Sequence, residues 1–189
     1  TIGEVPDAIE VIEDGLRYAL PAGGGQKTGF FFDQRDNRAR LGRYVRGRSV
    51  LDVFSYVGAW ALHALRDGAA SAACLDASQP ALEAAQASAA LNGLSIETIR
   101  DDALAGLKAL RAAGRRFDVV IVDPPALIKR KKDFEAGYEH YAALNRAALH
   151  VLPDDGLLVS CSCSHHLDAE ALQRVLLREA RQAGRRLQI

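Results

Sequence analysis

The sequence has no methionine, not even at position 1, and only one tryptophan and three cysteines. An odd, small number of cysteines excludes a disulfide framework and points to a reducing, cytoplasmic setting. No apolar run is long enough to cross a bilayer, and no secretory signal is visible. Net charge is absent too: 24 basic residues balance 24 acidic ones. Global charge therefore argues for neither a polyanion partner nor a membrane, although clusters act locally. There is no internal repeat and no low-complexity tract. Two nucleotide signatures are also missing: the three-glycine dinucleotide turn and the G-x-x-x-x-G-K-[ST] phosphate loop. The chain closes on Leu187-Gln188-Ile189, which reads as a strand just starting. With no initial methionine, both ends read as cut.

What is present is a 189-residue chain, 49% apolar, enough to bury one good core. Val50-Leu51-Asp52-Val53-Phe54 reads as a buried strand, and Ser55-Tyr56-Val57-Gly58 as a small turn opening a helix over 59–66. Upstream, Asp14-Gly15 sits between apolar runs and predicts a hairpin over 8–20. Ala22-Gly23-Gly24-Gly25 reads as a flexible joint. Residues 36–44 read as a helix closed near Gly47. Downstream, strands at 70–76, 95–100, 117–122 and 157–161 alternate with helices at 78–92, 103–113, 138–152 and 168–183. Ser78 with Pro80, and Asp168, are placed as helix starts. Such alternation implies a mostly parallel sheet with helices on both faces and right-handed crossovers.

The strand ends carry the chemistry. Ser55, Asp76, Asp102, Asp123 and Cys163 each follow a strand, where open α/β sheets bind ligands. Asp76 lies about twenty residues past the first turn, where a carboxylate accepts from ribose hydroxyls. A nucleoside ligand without a pyrophosphate fits, and S-adenosylmethionine is such a ligand. Asp102 also reads as a plain helix cap. Pro124 and Pro125 lack N–H groups and stiffen the loop beyond Asp123. Ser160-Cys161-Ser162-Cys163-Ser164-His165-His166 offers two thiols and two imidazoles. No second ligand pair matches them, since Cys74 falls inside a strand, so no metal is expected. Cys161 reads as core. Cys163 reads either as a spectator or as a nucleophile through its thiolate. Phe30-Phe31-Phe32 reads as a buried edge or an aromatic wall beside a ligand. The arginines at 35, 38, 40, 43, 46 and 48 read as a solvated face or as phosphate contacts.

Lys27-Thr28-Gly29-Phe30-Phe31-Phe32-Asp33-Gln34-Arg35, with Asn37-Arg38, resembles the K-T-G-F-[FY]-x-D-Q-R-x-N-R signature of the RlmI-type class I methyltransferases. These enzymes use S-adenosylmethionine to make 5-methylcytidine in large-subunit ribosomal RNA. Phe54-Ser55-Tyr56-Val57-Gly58 is similar to their F-S-Y-T-G, with valine for threonine, and Asp123-Pro124-Pro125 and Ser162-Cys163-Ser164 match D-P-P and S-C-S. The resemblance implies a Rossmann-like α/β class I methyltransferase fold, preceded by a hairpin and linker (1–25), with the domain over 26–189 lacking its last strands. It also implies roles. Phe54, Ser55, Tyr56 and Gly58 surround the methionine part of the cofactor. Asp76, with Ser78, holds ribose, and Asp102 accepts from adenine. Gln26, Lys27, Asp33 and Arg35 close the cofactor side. Arg38, Pro125, Lys129 and Lys131 meet substrate. Asp123, with Pro124 beside it, lies between cofactor and base, and Cys163 is the nucleophile. The implied partner is ribosomal RNA, and a homodimer is compatible with the sequence. Ala126 follows Pro125, so a scheme with a second cysteine there is unsupported.

Overall fold

The computed structural model describes residues 8–21 and 29–189. The expected joint at 22–25, together with Gln26, Lys27 and Thr28, lies outside them. The chain forms two compact units, Thr1–Arg100 and Asp101–Ile189.

The first unit opens with β1 (Ala8–Glu13) and β2 (Leu16–Pro21), an antiparallel hairpin in which Glu13 pairs with Leu16. Asp14 (φ 48°) and Gly15 (φ 84°) both take positive φ, as a two-residue turn of the primed type requires. Helix α1 (Arg35–Leu41) follows, then β3 (Ser49–Val53), α2 (Ala59–Arg66), β4 (Ser71–Asp76), α3 (Gln79–Leu91) and β5 (Glu97–Arg100). β4 pairs in parallel with β3 on one side and β5 on the other. β3 and β4 are buried along most of their length, as strands covered on both faces must be. The hairpin belongs to this core: Leu16, Tyr18 and Leu20 pack with Phe30, Val57, Leu62, Ala84 and Ala89. The Ala19 N–H also donates to Ser88 Oγ on α3 at 3.0 Å.

The second unit holds α4 (Ala103–Ala112), β6 (Val119–Val122), α5 (Phe134–Leu149), β7 (Leu157–Ser160) and α6 (Ala169–Gln182). β6, the most apolar strand, is fully buried and parallel to β7, with Val122 opposite Ser160. The polar basic loop after β6 carries a short 3-10 turn at Lys131–Asp133.

Several boundaries differ from the sequence reading: β5 and β6 begin two residues late, at Glu97 and Val119, and α5 ends at Leu149 and not 152. Helix α1 stops at Leu41 and not Tyr44, because the chain turns at Gly42 to lie against Asp67, where a Cβ would collide with that carboxylate. Helix α5 starts at Phe134, four residues early, where Phe134 and Tyr138 stack at 5.7 Å over the Ile128–Tyr141 cluster. Residues 187–189 show no strand pairing.

Candidate active site

The turn after β3 is held in a costly backbone conformation. Phe54 (φ 64°) and Tyr56 (φ 48°) are non-glycine residues in the left-handed region, a placement costing roughly 1–2 kcal/mol each. Surrounding bonds enforce it. The Phe54 and Ser55 N–H groups both donate to Leu75 O, at 2.9 and 3.3 Å. The Tyr56 N–H donates to Asp76 Oδ2 and its hydroxyl to Gly29 O, both at 2.9 Å. Phe31 meets the Tyr56 ring edge-on at 5.8 Å. Non-glycine residues keep such a conformation only where their surroundings over-determine it. Gly58 (φ 76°) starts α2, and a Cβ there would stand 3.2 Å from Ala85 Cβ and 3.4 Å from Cys74 Sγ. Glycine is thus needed for helix and strand to pack. Gly58 offers α2 no capping side chain, and Asp52 Oδ2 in mid-strand accepts the Ala61 N–H at 3.2 Å instead. The sequence reading missed this role of Asp52; a carboxylate inside an otherwise apolar strand was the signal.

Asp76 is aimed by two backbone donors: Tyr56 N–H on Oδ2 and Ser78 N–H on Oδ1, the second at 2.9 Å. A carboxylate has about four lone-pair positions. Two stay available for ligand hydroxyls, which is what a ribose diol needs. Ser78 caps α3, its Oγ accepting from Ala81 N–H at 3.3 Å. The buried Ser55 sits beside Cys74, whose thiol burial pushes well above its ordinary pKa. Cys74 is therefore an inert core thiol. In the second unit Asp102 caps α4, Oδ1 accepting from Leu104 and Ala105 N–H at 3.0 and 3.2 Å. Within the first unit, the two open positions on Asp76 suit the hydroxyls of a nucleoside-type ligand.

Other expected contacts fall elsewhere. Arg38, expected to meet substrate, is 2% exposed. Its guanidinium forms a fork on Glu13, with Nε and Nη2 at 2.8 Å, and Nη2 also donates to Phe31 O at 2.9 Å. The same Glu13 carboxylate meets His63 Nε2 at 3.1 Å. Glu13, Asp14 and His63 are the one trio among the described residues with ligand atoms close enough to hold a metal. Arg38 takes both Glu13 oxygens and Arg35 pairs with Asp14, so this is an ion-pair network. Arg35 is thereby tied to the hairpin turn at 2.5 Å, while Asp33 is exposed. Of the three phenylalanines only Phe30 is core; Phe31 and Phe32 are 41% and 57% exposed.

In the second unit, the ends of β6 and β7 carry the Asp-Pro-Pro and Ser-Cys-Ser segments. Asp123 follows β6 half-buried, then Pro124 buried and Pro125 exposed. Cys163 follows β7, is exposed, and donates to Pro124 O at 3.5 Å. Its two serine neighbours turn the other way. Ser162 Oγ donates to Tyr141 OH at 2.9 Å, and Ser164 Oγ lies 2.9 Å from the same hydroxyl. Ser164 Oγ also accepts from Ile128 N–H at 3.0 Å. Tyr141 is fully buried on α5. Serines on both sides fastened inward leave Cys163 turned out between them. Cys161 is buried, His165 and His166 are exposed with ring centroids 5.4 Å apart, and Lys129 and Lys131 are exposed.

A model of the S-adenosylmethionine-dependent methyltransferases matches residues 1–185. The chain belongs to that family. It is 37% identical over 191 residues to the ribosomal RNA large subunit methyltransferase I of Serratia proteamaculans, covering 99% of this chain and 48% of that protein. The protein of that name from Klebsiella pneumoniae is 36% identical, with the same coverage. The chain thus spans about half the length of the relatives it matches. Among solved structures, SMU.776 complexed with SAH superposes with a TM-score of 0.81 at 25% identity, over 94% of this chain and 47% of that one. A SAM-dependent methyltransferase from Agrobacterium tumefaciens gives 0.80 at 21%, over 96% and 61%. The fold is the Rossmann-like α/β fold of the class I methyltransferases.

Proposed function

We propose that the protein methylates carbon 5 of a cytidine in large-subunit ribosomal RNA through a covalent adduct with Cys163. The observation that carries this is the exposed Cys163 thiol, held between two inward-fastened serines and against the carbonyl of Pro124 in the Asp-Pro-Pro turn. S-adenosylmethionine, when bound, supplies an electrophilic methyl group on a sulfonium. Asp76, Ser78 and the strained loop over Phe54, Ser55, Tyr56 and Gly58 hold it, with Asp102 at the adenine side.

Carbon 5 of cytosine is a weak nucleophile. The Cys163 thiol gives up its proton and its sulfur bonds to carbon 6, which turns the ring into an enamine nucleophilic at carbon 5. Asp123 hydrogen-bonds the ring-nitrogen side and offsets the charge that develops there. Carbon 5 then takes the methyl group. A base removes the carbon-5 proton, the carbon 5–carbon 6 double bond re-forms and the Cys163 sulfur leaves as the thiolate. Pro124 and Pro125 keep the Asp123 loop rigid, and the target base leaves its stack to be reached. Exposed Lys129 and Lys131 hold the RNA backbone. The setting is the cytoplasm, where ribosomal RNA is reached. The support is the match to the large-subunit methyltransferases together with the Ser-Cys-Ser and Asp-Pro-Pro geometry.

The test is mass spectrometry of ribosomal RNA from cells with and without the gene. One 5-methylcytidine should disappear from the large-subunit RNA of the deletion and return with the wild-type gene. An unchanged 5-methylcytidine map would overturn the proposal.

A further inference from the structure

An open concavity of ≈ 430 Å³ lies in the first unit between the turn after α1 and the turn joining α2 to β4. Gly42, Arg43, Arg46, Arg66, Asp67 and Gly68 line it. The two turns are tied together: Gly47 N–H donates to Gly68 O at 2.8 Å, and Ala70 N–H to Arg48 O at 2.9 Å. Gly68 holds φ 98°, a value side-chain-bearing residues rarely adopt. Gly42 has no room for a Cβ beside the Asp67 carboxylate.

The charges within it are unequal. Asp67 is the single carboxylate of the lining, and Arg66 pairs with both its oxygens, with Nε at 2.8 Å and Nη2 at 3.1 Å. The remaining Arg66 nitrogen, Nη1, donates to Asp14 O at 2.8 Å. Arg43 and Arg46 are exposed and have no carboxylate partner among the described residues. Two uncompensated guanidiniums in a concave lining match the fork geometry of a phosphate. A merely solvated arginine face would be convex and would not need two glycines to bring its turns together. Tyr44, in the same turn, is 56% exposed and offers an aromatic face of the kind on which bases stack.

The location matters as much as the charge. Arg48 directly precedes β3, whereas the strained loop follows β3 at its far end. Five residues of strand separate them, about 17 Å at about 3.3 Å per residue. We propose that this concavity is a phosphate subsite for the backbone of the RNA substrate, at the end of β3 opposite the strained loop. The inference rests on the RNA reading above and adds to it a backbone contact in the first unit, one strand length from the loop after β3.

The test is the Arg43→Ala/Arg46→Ala variant of the protein. Its affinity is measured for a long fragment of large-subunit RNA and for a cytidine trinucleotide, too short to span both places, between about 50 and 200 mM salt. The long fragment should bind on the order of tenfold more weakly, with a log–log salt slope shallower by about 1 to 2. The trinucleotide and S-adenosylhomocysteine should bind as to wild type. The Arg43→Lys/Arg46→Lys variant should keep most of the slope. Unchanged binding of the long fragment, or an equal loss on both RNAs, overturns the subsite alone. A wild-type protein that binds no ribosomal RNA of any length overturns the RNA reading and this subsite together.

Discussion

Arg38→Ala should be among the most damaging substitutions in the first unit. The wild-type guanidinium makes three hydrogen bonds, two of them to a carboxylate that is itself only 1% exposed. Its Cζ also lies 5.5 Å from the Phe30 ring and 6.0 Å from Trp60. Removing it leaves the Glu13 carboxylate buried with only a neutral imidazole beside it. Breaking a buried pair in this way costs about 3–5 kcal/mol, a large share of the roughly 5–15 kcal/mol that holds a domain together. With a urea slope of about 2 kcal/mol per molar, the midpoint should fall by about 2 M. Trp60, the sole tryptophan, is buried beside Arg38 and reports the transition by fluorescence. Glu13→Gln combined with Arg38→Met removes both charges, keeps a hydrogen-bond partner for His63 and keeps the volume. It should recover more than half of the loss. A single Arg38→Ala variant losing under about 1 kcal/mol, the cost of an exposed pair, would refute the reasoning.

Further outcomes follow from other parts of the structure. Burial, aided by Arg66 and opposed by Glu13, depresses the His63 pKa from 6.5 to about 4. The unfolded chain then binds the extra proton between those values, so stability falls as pH drops from about 6.5 to 4, by roughly 3 kcal/mol. His63→Gln should flatten that dependence in urea titrations at several pH values, and an unaltered slope would count against the assignment. Tyr141→Phe deletes the hydroxyl shared by Ser162 and Ser164. It should cost about 1–3 kcal/mol and change the rate at which iodoacetamide alkylates Cys163, while Tyr138→Phe should do neither. Asp76→Ala should weaken S-adenosylhomocysteine binding by roughly 10- to 100-fold in calorimetry, the loss of one or two charge-assisted bonds, without shifting the Trp60 transition by a comparable amount.

Much of this was legible in the sequence because it is encoded locally. Asp14-Gly15 announced the hairpin, Ser78 and Asp168 announced their helices, and each strand could be followed to its polar end. One glycine after β3, and not three, predicted the cofactor class. The unread parts depend on partners distant in the chain. Arg38 looked like one more arginine in a basic run, and only the hairpin, 25 residues earlier, supplies the carboxylate that buries it. Ser162 and Ser164 find their partner in Tyr141 on α5, more than twenty residues away, which no local spacing discloses. The basic run itself split three ways: Arg35 tied to the hairpin turn, Arg38 buried, and Arg43 and Arg46 left open. No spacing rule separates these fates, because they depend on which turn meets which.

The proposed reaction turns on a bond between the Cys163 sulfur and carbon 6 of one base. Wild-type protein, S-adenosylmethionine and RNA carrying 5-fluorocytidine at the target should give a denaturation-resistant complex, since fluorine at carbon 5 blocks the final proton loss. Cys163→Ala should give none and should not turn over unmodified RNA. A Cys163→Ala protein that methylates at the wild-type rate, or that still forms the adduct, would contradict it.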